Sequence, residues 1–184
     1  MTKNDLLNVL ERSPVIAAVN DATWDQALNS SAEVIFYLKA NLMTVEDKIN
    51  QAVKKGKTIF IHIDLAEGIA KDRTGILFLS KCGVHGVLST RNQLINYAKE
   101  EGLMTVQRFF ALDSQGLSSM HWVADNADFI EIMPGVIPKV IERFSKEGFS
   151  VIAGGLIETK EEVMTAINAG TLAVSTGKAE LWEL

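Results

Sequence analysis

The chain is poor in cysteine, in positive charge and in long apolar runs, and each shortage removes a class of protein. Its one cysteine among 184 residues, Cys82, can close no internal disulfide. It lies in Leu79-Ser80-Lys81-Cys82-Gly83, which reads as a helix end, so the thiol is expected to be buried in a cytoplasmic protein. Lys and Arg number 18 against 23 Asp and Glu, a net charge of −5, which argues against nucleic-acid binding by bulk electrostatics. Local basic patches stay open, since Lys54, Lys55 and Lys57 crowd one helix end and Lys71, Arg73 and Lys81 follow. The plain reading of such lysines is a solvated helix end. Met1 to Arg12 mixes acidic and polar residues with leucines, so neither a signal peptide nor a membrane span is expected. No linker or low-complexity tract divides the chain, which predicts one domain over 1–184.

Several catalytic signatures are also missing. Gly177-Lys178 is followed by Ala179 and lacks the upstream glycine of a nucleotide-phosphate loop, and no dinucleotide fingerprint follows the first apolar run. A Schiff base needs a pocket-facing lysine, and only Lys39, just past the second apolar run, comes near. The expected pocket therefore binds, with no evident nucleophile.

Apolar runs alternate with helical patterns through the whole chain. The predicted strands are Val15 to Val19, Val34 to Leu38, Thr58 to Asp64, Gly86 to Leu88, Leu103 to Phe109, Phe129 to Ile132, Val151 to Ile157 and Ala173 to Lys178. Such continuous runs suit parallel strands buried on both faces. The predicted helices are 6–10, 24–28, 44–55 with a box-like Thr44 and Asp47 pair, 69–82, 91–101, 114–125, 138–148 and 159–168. Eight strand-helix units predict a compact, single-domain (β/α)8 TIM-barrel-like α/β fold with short helices and loops, against a usual length of about 250 residues. An open doubly wound sheet is the alternative.

Function in such a barrel gathers where strands end. Those positions hold Asn20 and Asp21, then His62, Asp64 and Glu67, then Ser89, Thr90 and Arg91, then Gln107 and Arg108, and then Glu131. The last two strands stop in Gly154-Gly155 and in Ser175-Thr176-Gly177. Glycines that let backbone N–H groups approach an anion, at turns 7 and 8, point to a phosphate. Two tight turns are the plainer reading of the same glycines. His62 and Asp64, two apart, are expected to face one side. With Glu67 they have a spacing that metal could use, yet no second cluster supports a metal site and none is expected. Arg108 interrupts an apolar strand, where it could pair with Glu131 or reach an anion. His85 and His121 read as structural.

The ordered set Pro14-Val15-Ile16-Ala17-Ala18-Val19, Ile61-His62-Ile63-Asp64-Leu65 with Glu67-Gly68, Leu88-Ser89-Thr90-Arg91, Thr105-Val106-Gln107-Arg108, Ile130-Glu131-Ile132-Met133-Pro134-Gly135 with Pro138-Lys139, and Ala153-Gly154-Gly155-Leu156-Ile157 with Ala173-Val174-Ser175-Thr176 resembles the glycerol-3-phosphate-responsive antiterminator family, GlpP. The resemblance runs from the first strand almost to the C-terminus. It implies a bacterial cytoplasmic regulator of glycerol uptake and catabolism operons, without catalytic residues, metal or cofactor. Its effector would be glycerol 3-phosphate and its partner a leader mRNA, read through past a terminator and stabilised. RNA contact would use a lysine-rich face and a homodimer.

In the same resemblance Gly154, Gly155, Ser175, Thr176 and Gly177 would hold the phosphate, aided by Arg108 or Arg91. His62, Asp64, Glu67 and Glu131 would address the glycerol hydroxyls, with Asp21 and Gln107 completing the ligand set. Lys39-Ala40-Asn41 and Gly177-Lys178 depart from the family's common pattern. Two rival classes use the same pocket. One is an enzyme on a small phosphorylated polyol or sugar, with Asp64 or Glu131 as base and His62 as acid. The other is a metabolite sensor that contacts a protein.

Overall fold

A computed structural model describes residues 1–111 and 126–184. Helix α1 (Lys3–Arg12) opens the chain, followed by β1 (Val15–Val19), α2 (Trp24–Asn29), β2 (Val34–Tyr37), α3 (Val45–Lys54) and β3 (Thr58–His62). Then come α4 (Arg73–Lys81), β4 (Gly86–Ser89), α5 (Asn92–Glu100), β5 (Met104–Phe110) and β6 (Phe129–Met133). The chain ends with α6 (Pro138–Lys146), β7 (Val151–Gly154), α7 (Lys160–Asn168), β8 (Ala173–Thr176) and a 3₁₀ turn over Ala179–Glu183. The predicted helix 114–125 and His121 lie outside the described residues.

The eight strands pair in sequence order, all parallel, and β1 meets β8 through Val15↔Val174, Ile16↔Ser175 and Ala17↔Thr176. That closure excludes the open sheet. Side chains alternate along each strand, so every second residue enters the barrel. Ile16, Val34, Phe36, Phe60, Leu88, Met104, Val106, Phe129, Ile152 and Ala173 form the interior cluster. Their neighbours, among them Ala17, Ile35, Ile59, Ile61, Val87, Ile130 and Val174, face outward in the layer that packs against the helices. Burial on both faces is why the strands read as unbroken apolar runs.

Leu6 and Leu10, one turn apart on α1, join the interior cluster, so α1 plugs the end of the barrel from which the strands start. A capping box fixes that helix: Thr2 N–H donates to Asp5 Oδ2 at 2.7 Å and Asp5 N–H to Thr2 Oγ1 at 3.2 Å. The opposite mouth, where the strands end, carries the buried polar residues Arg108, Glu131 and Ser175.

Some boundaries differ from expectation for local reasons. Strand β3 stops at His62, because Ile63–Leu65 form a 3₁₀ turn that takes Asp64 off the strand. Strand β7 stops at Gly154, because Gly155 and Leu156 turn left-handed at φ 73 and φ 60. Helix α4 starts four residues later than predicted, where Asp72 Oδ1 accepts from Thr74 and Gly75 N–H. No capping box forms on α3: the Thr44 hydroxyl donates to the Asn41 carbonyl, and Asp47 accepts from Gln51 instead. Cys82 is half-buried where full burial was expected, and burial still pushes its thiol pKa up. Among the described residues, no helix is long and apolar enough to cross a membrane.

Candidate ligand site at the mouth of the barrel

The alternation that places Met104 and Val106 inside the barrel also sends Arg108 inward, as Phe129 does for Glu131 and Ala173 for Ser175. These three meet. Arg108 Nε donates to Glu131 Oε2 at 2.6 Å, and Ser175 Oγ donates to Glu131 Oε1 at 2.5 Å. Glu131 is fully buried and Arg108 nearly so, at 9% exposure. A charge pair this deep is tolerated only because each partner is compensated. Gly154 makes room for it, since a Cβ at that position would strike Glu131 Oε1 and Ser175 Oγ.

A cavity of about 420 Å³ adjoins the pair and is lined by Arg108, Gly155, Ser175, Thr176, Gly177 and Lys178. Arg108 spends its Nε on Glu131, and no acceptor among the described residues takes its terminal guanidinium nitrogens. Lys178 Nζ stands 3.4 Å from Glu158 Oε1, at the cavity's edge. Thr176 ties the two turns together, its Oγ1 donating to the Ile157 carbonyl at 2.7 Å and accepting from Lys178 N–H at 3.1 Å. Trp182 Nε1 donates to the Thr176 carbonyl at 2.8 Å and secures turn 8 from behind. The result is a concave surface with two glycine turns and two cations, each facing one carboxylate, Glu131 for Arg108 and Glu158 for Lys178, and the turns offer backbone N–H groups of the kind that suit an anion.

The other ligand candidates lie in two further groups. His62 enters the barrel at the end of β3, is 4% exposed, and has no hydrogen-bond partner among the described residues at either ring nitrogen. Its Nε2 stands 3.5 Å from Asp64 Oδ2, outside hydrogen-bond geometry. Asp64 serves the β4–α5 connection instead, accepting from Ser89 Oγ at 2.8 Å, Thr90 N–H at 2.6 Å and Thr90 Oγ1 at 2.9 Å. Arg91, largely exposed, has its Nε 3.7 Å from the same carboxylate. Gln107 faces away from the interior and donates from Nε2 to the Thr90 carbonyl at 3.1 Å, its Oε1 buried without a partner among the described residues. Asp21 and Glu67 line a separate cavity of about 260 Å³ with Asn20, Lys39 and Asn41. Asp21 accepts from the Tyr37 hydroxyl at 2.6 Å, and Glu67 from Asn41 Nδ2 at 3.3 Å. Among the described residues, no three His, Cys, Asp or Glu side chains are grouped to hold a metal ion.

Burial alone would push the Asp64 carboxyl up. The His62 imidazole close by and the hydrogen bonds from the Thr90 N–H and the Ser89 and Thr90 hydroxyls outweigh it and hold the pKa well below the usual carboxylate range. A depressed folded-state pKa adds stability above the unfolded value, near 4, and that stability is lost as pH falls toward the folded value. Urea unfolding at pH 7 and pH 3 is expected to show a larger loss for the native protein than for D64N. Equal losses in the two would contradict this account.

Two features escaped the sequence reading. Lys178 lines the cavity, and its only trace in the sequence is its place one step past Gly177 in turn 8. The lysine cluster is largely spent on structure: Lys57 Nζ donates to the Ser30 and Ala32 carbonyls, Lys71 to those of Ala66 and Ile69, and Lys55 to Asn29 Oδ1.

Fold and mouth together define a (β/α)8 barrel with a cavity at turns 7 and 8. The glycerol-3-phosphate responsive antiterminator family matches residues 15–182, and the chain belongs to that family. It is 35% identical to the uncharacterized protein YgcP of Escherichia coli (strain K12), with 97% of this chain and 96% of that protein covered. A glycerol uptake operon antiterminator regulatory protein from Listeria monocytogenes has a similar structure, with a TM-score of 0.84 at 31% identity over 92% of this chain and 94% of that one. A glycerol uptake operon antiterminator-related protein from Thermotoga maritima gives 0.83 at 29% identity, over 94% and 99%.

Proposed function

We propose that this chain senses glycerol 3-phosphate at the barrel mouth and, when loaded, acts in the cytoplasm on the leader transcript of glycerol uptake and catabolism genes. Transcription then continues past a terminator, and the message is stabilised. The observation that carries the ligand half is the convergence of Arg108, Lys178 and the Gly155 and Gly177 turns on one cavity. The transcript half is supported by family membership and by the similarity to the Listeria glycerol uptake operon antiterminator regulatory protein. Ligand binding would act by ordering the loops around the mouth and shifting the population toward an RNA-competent form.

The same chemistry favours sensing over turnover. Both oxygens of Glu131 are engaged, so it is a poor general base. Among the described residues, no inward-facing strand position carries a lysine, so no Schiff-base nucleophile is assigned. Catalytic residues, metal and cofactor play no part in this reading.

RNA contact on a chain of net charge −5 must rest on few cations. Lys54 and Lys81, exposed at the ends of α3 and α4, are candidates, and a homodimer would double them. An electrophoretic shift assay with leader RNA is expected to show a complex only with glycerol 3-phosphate. With about three phosphates neutralised on a single strand, a fourfold rise in salt should weaken it roughly twentyfold. Absence of any ligand-dependent complex would defeat the antiterminator reading. An equally tight complex without ligand would defeat the sensing step.

A further inference from the structure

The mouth is larger and more apolar than a three-carbon phosphate requires. Cavities of about 300–1,000 Å³ enclose ligands of drug size, and this one is about 420 Å³. Its cations, Arg108 and Lys178, belong to β5 and turn 8, whereas Leu38, Met133 and Leu156 supply apolar wall. The apolar wall continues outward past the cavity. Phe110 is the register partner of Met133 and is 51% exposed. Met133 lies against Gly155, whose Cβ, if present, would meet the methionine Cε at 2.6 Å. Leu156 follows at φ 60 with 68% of its surface exposed. A leucine held in a left-handed conformation with its side chain in water is costly on both counts, so a ligand that covers it would recover part of that cost.

We propose that the site takes phosphomonoesters bearing an apolar chain, with the phosphate at Arg108 and Lys178 and the chain along Met133, Leu156 and Phe110. The proposal rests on the mouth being the phosphate site, and it extends the ligand class beyond free glycerol 3-phosphate to alkylated or acylated relatives. Charge at one end and an exposed apolar ridge at the other specify an amphiphile. A purely polar ligand would leave the ridge in water.

Calorimetric titration of the full chain tests this with glycerol 3-phosphate, inorganic phosphate, and ethyl, butyl and hexyl phosphate. Affinity is expected to rise about two- to fourfold for each methylene added from ethyl to hexyl, as buried methylenes do elsewhere. L156N, whose asparagine accepts a positive φ, is expected to flatten that rise. If glycerol 3-phosphate binds and chain length makes no difference, the apolar extension is overturned and the phosphate site stands. If neither glycerol 3-phosphate nor any alkyl phosphate binds, the phosphate site itself is overturned. An undiminished rise in L156N would remove Leu156 from the ridge.

Discussion

Glu131→Ala is expected to lower folding stability by about 3–5 kcal/mol, because it strands the Arg108 guanidinium inside the barrel without a counter-charge. Glu131 is fully buried and holds both Arg108 Nε, at 2.6 Å, and the Ser175 hydroxyl, at 2.5 Å. Truncation therefore removes a charge, unsatisfies two donors and leaves a void between β5, β6 and β8. For a chain of this size the corresponding fall in Tm is roughly 6–20 °C. Urea unfolding monitored by circular dichroism measures it, and a loss below about 1 kcal/mol would show that water reaches the pair freely. The double replacement of Arg108 by Met and Glu131 by Leu should recover much of the loss, since the penalty belongs to the unpaired charge more than to the missing pair. It should also abolish phosphate affinity, which separates the structural duty of Arg108 from the ligand contact proposed for it.

Gly155→Val should weaken glycerol 3-phosphate binding at least tenfold, about 1.4 kcal/mol, in a protein that still folds. Gly155 sits at φ 73, which a β-branched residue adopts only under strain. A Cβ there would also press on Met133 Cε at 2.6 Å, so the turn must move away from the cavity it lines. The residue lies just past the end of β7, outside the barrel's hydrogen-bond ladder, and the fold can absorb the shift. Calorimetry on a sample whose thermal melt matches the native one decides the matter. Unchanged affinity would refute the phosphate assignment at turn 7.

Much of this was legible along the chain. Val15–Val19 is apolar without a break because parallel strands in a barrel are buried on both sides, and its predicted bounds match β1. Arg108 stood out because charge inside an apolar strand needs a partner, and the partner anticipated for it, Glu131, is the one it meets. Asp64 was harder to read. Spacing of two placed it beside His62 on a strand, whereas the 3₁₀ turn at Ile63–Leu65 redirects it toward Ser89 and Thr90. Gln107, one residue from Arg108, looked equally close to a ligand, yet alternation turns it to the opposite face of the sheet.

By itself the sequence determined the order of the eight strands, the glycines that end strands 7 and 8, and the family resemblance. All three are written in local patterns, periodicity and residue type within a few positions. Tertiary structure alone decided that the sheet closes through Val15↔Val174, that Lys178 reaches the cavity, and that Lys57 and Lys71 are spent on backbone carbonyls. Those outcomes depend on which residues from distant segments share a volume. That is settled by long-range register and by the need to satisfy each buried polar group, and neither leaves a local mark.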